Sequence, residues 1–276
     1  MNVKAIAKIL CTVLSLMIVF GAFGVNAYAS QTENAPSSTV QQAKSGWVKK
    51  GERRMYFVNG KPVKSKLKKI KKYTYYFNKK GYAVEGKSVT VKNKTFYLSD
   101  KGHLRAYKKK NKFYHSDRTK MTTAEAEDWK ARMNAEEIVA KITTKKMTKP
   151  QKLRACFNWV MKKPYITYRK FRPTDYWPAT YANDHFTRRG GDCHADAGAF
   201  AYLAAAVGYK DVYVCNDSNG IRAQGHAWTE IDGRVYDPLF AQAKSFSKNY
   251  NVSYGTYSLR PILHINMDYN KQRPAK

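Results

Sequence analysis

Acidic residues and cysteines are scarce in this chain, and beyond Val25 it has no long apolar run. Each shortage excludes something. Without a second apolar stretch, nothing past the N-terminus reads as a membrane span. No acidic cluster of the D-x-D-x-D type occurs, so calcium is not indicated. The four cysteines show no C-x-x-C spacing and the six histidines no H-x-x-x-H spacing. A zinc site built from Cys193, His194, Cys215 and His226 is therefore not expected, and no metal or cofactor is expected at all. Only 20 Asp and Glu stand against 51 Lys and Arg, a formal charge of +31, and such a field favours polyanionic partners at encounter.

What is present begins with Lys4 and Lys8 ahead of an apolar run from Ile9 to Val25, closed by Ala27-Tyr28-Ala29 before Ser30. This is the pattern of a secretory signal peptide over 1–29, with cleavage after Ala29 leaving no transmembrane anchor. Residues 30–45 are polar and aperiodic and read as a disordered linker. Cleavage removes Cys11 and leaves three cysteines in an oxidising compartment. A disulfide framework is then not expected, and the thiol that must stay free is a candidate nucleophile. Cys156, in an amphipathic stretch, and Cys215, ending the apolar Val212-Tyr213-Val214, read as core residues.

From Lys44 to Lys120 there are 25 Lys or Arg against four acids, Glu52, Glu85, Asp100 and Asp117. For an exported protein the matching polyanions are anionic cell-wall polymers or lipid headgroups, and export argues against nucleic acid. A merely solvated lysine-rich surface would have the same composition. Over 46–118 a motif recurs: Met55-Tyr56-Phe57-Val58-Asn59-Gly60, Tyr75-Tyr76-Phe77-Asn78-Lys79-Lys80-Gly81, and Phe96-Tyr97-Leu98-Ser99-Asp100-Lys101-Gly102, the glycines spaced 21 and 21 apart. Alternating aromatic and polar residues closed by a turn glycine predict short hairpins. A fixed period predicts that they stack, since none buries its apolar face alone. Phe113-Tyr114 begins a degenerate fourth copy.

These units, and Gly46-Trp47-Val48-Lys49-Lys50-Gly51 above all, resemble the choline-binding or glucan-binding repeats of Gram-positive surface proteins. The resemblance implies cation–π cages and nominates Trp47, Tyr56, Phe57, Tyr76, Phe77, Phe96 and Tyr97 as wall-binding aromatics. A tryptophan at a repeat start is present only as Trp47, so attachment through charge or another ligand is expected in place of choline. Aromatics that only pack a small solenoid would give the same pattern.

Over 121–276 the composition turns helical, in a segment long enough for one core. Thr122-Thr123-Ala124-Glu125 is a capping box opening a helix, and Thr148-Lys149-Pro150 opens a second that Pro164 stops. An irregular aromatic stretch is expected through Phe171, Tyr176 and Trp177. Arg189-Gly190-Gly191-Asp192-Cys193 then makes a glycine turn that places Cys193 at the N-terminus of a small-residue helix ended by Gly208, where unpaired amides and the dipole lower a thiol's pKa. Asp192 could cap that helix and oppose the thiolate modestly, while His194 is expected to point away along it.

Further on, Asp232-Gly233 signals a two-residue hairpin loop. That register pairs Ile231 with Arg234, Trp228 with Asp237 and His226 with Leu239. His226 and Asp237 become diagonal neighbours on one face, within reach of an imidazole–carboxylate bond.

Gly191-Asp192-Cys193-His194-Ala195, then Gly225-His226-Ala227-Trp228, then Tyr236-Asp237-Pro238, in that order, resemble the transglutaminase-like superfamily, relatives of papain. The resemblance implies an α+β fold, a papain-like core of helices and antiparallel sheet preceded here by the all-β hairpin-repeat solenoid. It implies Cys193 as nucleophile, His226 as base and then acid, and Asp237 as orienter, with acyl transfer from a protein or peptide amide through a thioester. Tyr176 and Trp177 are nominated for the oxyanion and Trp228 for the site wall. The expected protein is a secreted, wall-associated cysteine enzyme. A non-catalytic wall-binding or adhesive protein keeping the fold, and a peptidoglycan peptide amidase, stand as alternatives.

Overall fold

Aromatic-rich runs in the first part of the chain are cut off by turn residues before they can lengthen, so short strands fill it as far as His115. The computed structural model describes residues 45–267 apart from Arg222; the expected signal peptide and all but Ser45 of the expected linker lie outside the described residues. Strands β1 (Gly46–Lys50), β2 (Arg53–Val58) and β3 (Lys61–Pro62) form one antiparallel sheet. A hairpin of β4 (Lys66–Ile70) and β5 (Tyr73–Phe77) follows. Next comes a four-stranded sheet of β6 (Ser88–Val91), β7 (Lys94–Leu98), β8 (Leu104–Lys109) and β9 (Lys112–His115).

The repeat is visible in its turns. The amide of Asn78 donates to Tyr82 O and that of Gly81 to Asn78 O; Ser99 with His103 and Gly102, and His115 with Thr119 and Arg118, make the same pair of bonds. Gly81 and Gly102 sit at φ 86° and 74°, and Arg118 takes the glycine's place at φ 78°. The degenerate fourth copy is thus a real one, shortened and carrying arginine in a left-handed position. Stacking follows from aromatic burial: Tyr76 lies on Phe96 at 5.6 Å between ring centres, with Val84, Leu98 and Leu104 buried around them.

Both expected helix starts form, at the Thr122 capping box and at Thr148-Lys149-Pro150. α1 (Thr123–Ile142) is capped by Thr122 and Glu125, and α2 (Lys149–Met161) by Thr148 and Gln151. The aromatic stretch is not irregular throughout. Pro178 in the first turn starts α3 (Trp177–Thr187), whose Trp177, Ala179, Tyr181, Ala182 and His185 are buried. A helix buried on several faces shows no clean stripe, which is why periodicity did not announce it.

α4 (Cys193–Val207) is buried along most of its length and ends at Gly208, φ 107°. The antiparallel sheet on which it lies has the order β13 (Tyr250–Val252), β12 (Arg234–Tyr236), β11 (Ala227–Ile231), β10 (Val212–Asn216), β14 (Leu263–Asn266), with α5 (Pro238–Ala243) after β12. Thr229 Oγ1 donates to Ala197 O at 2.8 Å and fixes β11 against the helix. Between helices and sheet, Phe157, Phe200 and Leu203 are fully buried, each stabilising by about 1.5–3 kcal/mol. The architecture is α+β, as expected. Repeats and helical part meet where Tyr97 packs on Trp129 at 5.6 Å and Arg105 pairs with Glu136 at 2.8 Å.

Candidate active site

Both glycines before Cys193 are required by close approach, not by a left-handed turn. A Cβ on Gly190 would meet Pro164 O at 2.0 Å, and one on Gly191 would meet the Ala195 Cβ at 2.2 Å. Asp192 caps α4 by accepting from the Ala195 amide at 3.1 Å, leaving Cys193 as the first helical residue. Its sulfur lies against the backbone amide of Ala227, the residue after His226.

The thiol is only 7% exposed. Burial pushes it up to about 12 despite the Ala227 amide, and the charges of Asp192, Asp237 and Asp196 add to the rise. The helix end was expected to lower it. Burial outweighs what the helix end contributes.

His226 precedes β11 behind Gly225, which turns at φ 69°. Its ring stacks on Phe240, 3.8 Å between centres and 11° from parallel, and its amide donates to Asp217 Oδ1 at 2.7 Å. Nε2 lies 2.7 Å from Asp237 Oδ2. Asp237 is fully buried; Oδ2 also accepts from Tyr257 OH at 2.8 Å and Oδ1 from the Phe240 amide at 3.0 Å. A carboxylate only accepts, so the proton sits on Nε2 and Nδ1 is left as the acceptor.

The Asp232-Gly233 loop forms with both residues at positive φ, 50° and 71°, and Ile231 pairs with Arg234. The ladder stops at Thr229–Tyr236, because Pro238 cannot donate and the chain turns into α5. Leu239 is therefore helical and does not pair with His226. Asp237 reaches the imidazole as the N-cap of α5 and not from a strand.

Other expectations need correction. His194 does not point away: Nδ1 is 3.5 Å from Cys193 Sγ, Nε2 is 3.2 Å from Gln224 O, and the ring stacks on Phe171 at 4.1 Å. Trp228 alternates with Ala227 along β11 and so falls on the sheet face away from α4. There it donates to Tyr254 OH at 3.1 Å and packs on Tyr257, 5.3 Å between rings, beneath the Asp237 clamp. Tyr176 holds a left-handed φ of 57° at the start of α3. Trp177 is buried with an unpartnered indole N–H, its ring edge-on to His194 at 6.1 Å.

Among the repeat aromatics, Tyr76, Phe77 and Phe96 are buried. Trp47 packs against Tyr56 and Tyr75, and the Arg54 guanidinium covers it at 4.8 Å; Arg53 covers Tyr82 at 4.2 Å. The chain's own cations occupy these faces. Tyr257 and the Ala227 amide were not legible in sequence, Tyr257 because nothing local ties it to Asp237. For His194, adjacency to Cys193 was the available signal.

Compared with known families, residues 136–239 match the transglutaminase-like superfamily. These residues form a transglutaminase-like core. No curated protein matches the chain. Solved structures with some similarity include the modular Cpl-1 endolysin complexed with a peptidoglycan analogue, at 23% identity and TM-score 0.23, over 28% of this chain and 25% of the endolysin. Another is a choline binding domain from Streptococcus pneumoniae, at 18% and 0.21, over 22% of this chain and 74% of that domain. A third, choline binding protein F of the same organism, gives 20% and 0.22, over 29% and 28%. The chain thus spans about a quarter of the endolysin's length, and likenesses this low decide nothing about activity. Among the described residues no helix is long and apolar enough to cross a membrane.

Proposed function

We propose that the protein is an exported, wall-associated cysteine enzyme whose transglutaminase-like core works on amide bonds of proteins or peptides through a Cys193 thioester. The supporting observation is the His226–Asp237 clamp at the start of β11, whose first amide, that of Ala227, lies against the Cys193 sulfur. His226 Nδ1 takes the thiol proton as sulfur adds to the amide carbonyl, and Asp237 steadies the imidazolium. The Cys193 backbone N–H, unpaired as the first of its helix, and the unpartnered Trp177 N–H are the donors for the oxyanion. Collapse breaks the C–N bond, and the amine leaves with the proton from His226. Water or a second amine, deprotonated by His226, then attacks the thioester and releases the thiol.

The repeats would hold the enzyme at the wall. Since Arg54 covers Trp47, Arg53 covers Tyr82 and the repeats carry many lysines, the ligand is anionic and not a quaternary ammonium. A cavity of about 790 Å³ lined by Lys69, Lys72, Tyr73, Lys94, Phe96 and Arg118 offers cations beside stacking rings. Incubating the protein with a glutamine-containing protein and a fluorescent amine tests the chemistry. Amine incorporation or ammonia release that vanishes in Cys193→Ala supports it, and activity unchanged in that variant sinks it. The burial and raised pKa of Cys193 favour one second reading, a binding protein that keeps the fold; wall binding with no turnover of any amide would establish that instead.

A further inference from the structure

On the sheet face away from α4, three adjacent strands bring a thiol, a carboxylate and an imidazole together. Cys215 on β10 pairs with His264 on β14 and with Trp228 on β11, and Glu230 stands two residues beyond Trp228, diagonal to Cys215. One ligand atom from each of Cys215, Glu230 and His264 lies within 4.8 Å of the others. We propose that these three residues form a zinc site, separate from Cys193, with its fourth position open to water or a further ligand.

The donor set is a borderline-soft one. Sulfur, imidazole nitrogen and carboxylate oxygen together suit zinc and do not suit calcium or magnesium, which take oxygen. The geometry fits as well. A tetrahedral zinc with bonds of about 2.0–2.1 Å holds a nitrogen and an oxygen ligand about 3.3 Å apart, and His264 Nε2 is 3.3 Å from Glu230 Oε2. Sulfur at about 2.3 Å from the metal would stand about 3.6 Å from either, so Cys215 needs to close by roughly an ångström at most.

Groups behind the ligands are already set. Tyr254 OH accepts from Trp228 Nε1 at 3.1 Å, donates to Glu230 Oε2 at 2.7 Å and lies 3.9 Å from Cys215 Sγ, so it contacts two of the three ligands and holds the carboxylate. The His264 ring stacks on Tyr213, 4.0 Å between centres and 16° from parallel, which fixes its plane. Cys215 and Glu230 are buried while the His264 side chain is 41% exposed, so the metal has an entry from solvent. Binding would take one proton from the Cys215 thiol and put the His264 proton on Nδ1, leaving Nε2 for the metal. No spacing rule finds this site, because its ligands lie 15 and 34 residues apart and meet only through strand pairing.

The test is a competition titration of the chelator-stripped protein with zinc against a chromophoric chelator, followed by cobalt(II) loading. The expected result is one zinc per chain and a thiolate-to-cobalt charge-transfer band. His264→Ala, at an exposed position that the fold tolerates, should weaken zinc at least tenfold, and Tyr254→Phe about tenfold. Cys193→Ala should leave affinity within about twofold and keep the cobalt band. Absence of stoichiometric zinc, a cobalt spectrum without the thiolate band, binding that survives His264→Ala, or binding lost in Cys193→Ala would each overturn the site. None of these readouts depends on amide turnover.

Discussion

Asp237 Oδ2 receives hydrogen bonds from both His226 Nε2, at 2.7 Å, and Tyr257 OH, at 2.8 Å. The His226–Asp237 relationship therefore comes with a second donor that fixes the carboxylate's position. Replacing Asp237 by Asn should preserve the α5 cap, since the amide oxygen still accepts from Phe240, but it reverses the preferred tautomer of His226. The expected outcome is a loss of roughly 10³–10⁴ in kcat with the melting temperature nearly unchanged. Tyr257→Phe should cost only about tenfold in kcat and roughly 1 kcal/mol in stability. Steady-state kinetics beside urea unfolding separates the two effects.

The Cys193 thiol, pushed up to about 12 by burial first, should react slowly with iodoacetamide at neutral pH and faster with each unit through the range 9 to 12. Asp192→Asn removes the first of the adjacent charges that raise it and should shift the profile to lower pH. Cys156 is pushed up to about 12 as well. Folding favours both neutral thiols, so the stability they contribute is whole below about pH 9 and disappears as pH rises through about 12. Mass-spectrometric alkylation rates check the first statement, and unfolding between pH 8 and 11 the second. A Cys193 profile already flat by about pH 8.5 would show that a preformed ion pair with His226 outweighs burial.

Beneath α4 lies a buried pair the mechanism does not use. His185 Nδ1 and Asp196 Oδ1 approach to 2.9 Å without the alignment of a hydrogen bond. Burial lowers His185 to about 3 and raises Asp196 well above its ordinary value. Burial holds His185 neutral, so its contribution to stability is present above about pH 6.5 and is lost as pH falls towards about 3. Asp196, raised by burial and by the charges of Asp192 and Asp237, acts in the opposite sense, its contribution being lost as pH rises above about 3.8. Urea unfolding should show that loss on the alkaline side lessened in Asp196→Asn; an unchanged profile would place the titration elsewhere.

Much of this was legible in sequence, for physical reasons that also mark where legibility stopped. The capping box at Thr122, the helix start at Thr148-Lys149-Pro150 and the Asp232-Gly233 loop are local signals, each satisfied by residues within three positions, and all three formed. α3 was missed because a helix buried on several sides has no polar face to reveal its period. The place of Cys193 at a helix end was legible because the glycine turn before it is local, whereas the strand register expected for His226 and Asp237 fails before Pro238 and the two meet through the α5 cap instead. The level of the thiol's pKa was misread because burial is a tertiary property. Tyr257 and the Cys215, Glu230 and His264 group depend on contacts between distant segments, on which spacing is silent.

Arg118 at φ 78° fills the position held by Gly81 and Gly102 in the other turns. A left-handed conformation costs a non-glycine residue about 1–2 kcal/mol. Arg118→Gly should raise the unfolding free energy by about 1 kcal/mol, whereas Arg118→Ala should not. Because Arg118 also lines the cavity with Lys69, Lys72 and Lys94, both variants should bind anionic wall polymer more weakly with a shallower salt dependence. Equal stabilities for the two variants would show that the turn is not strained.

The most direct test of a Cys193–His226–Asp237 catalytic unit is intact-mass and peptide-level analysis of the protein after brief exposure to a nitrophenyl ester. The account predicts a single acyl group on Cys193, none on Cys156 or Cys215, and acylation slowed at least a hundredfold in His226→Ala. No adduct, or an adduct on Cys193 formed equally fast without His226, would contradict it.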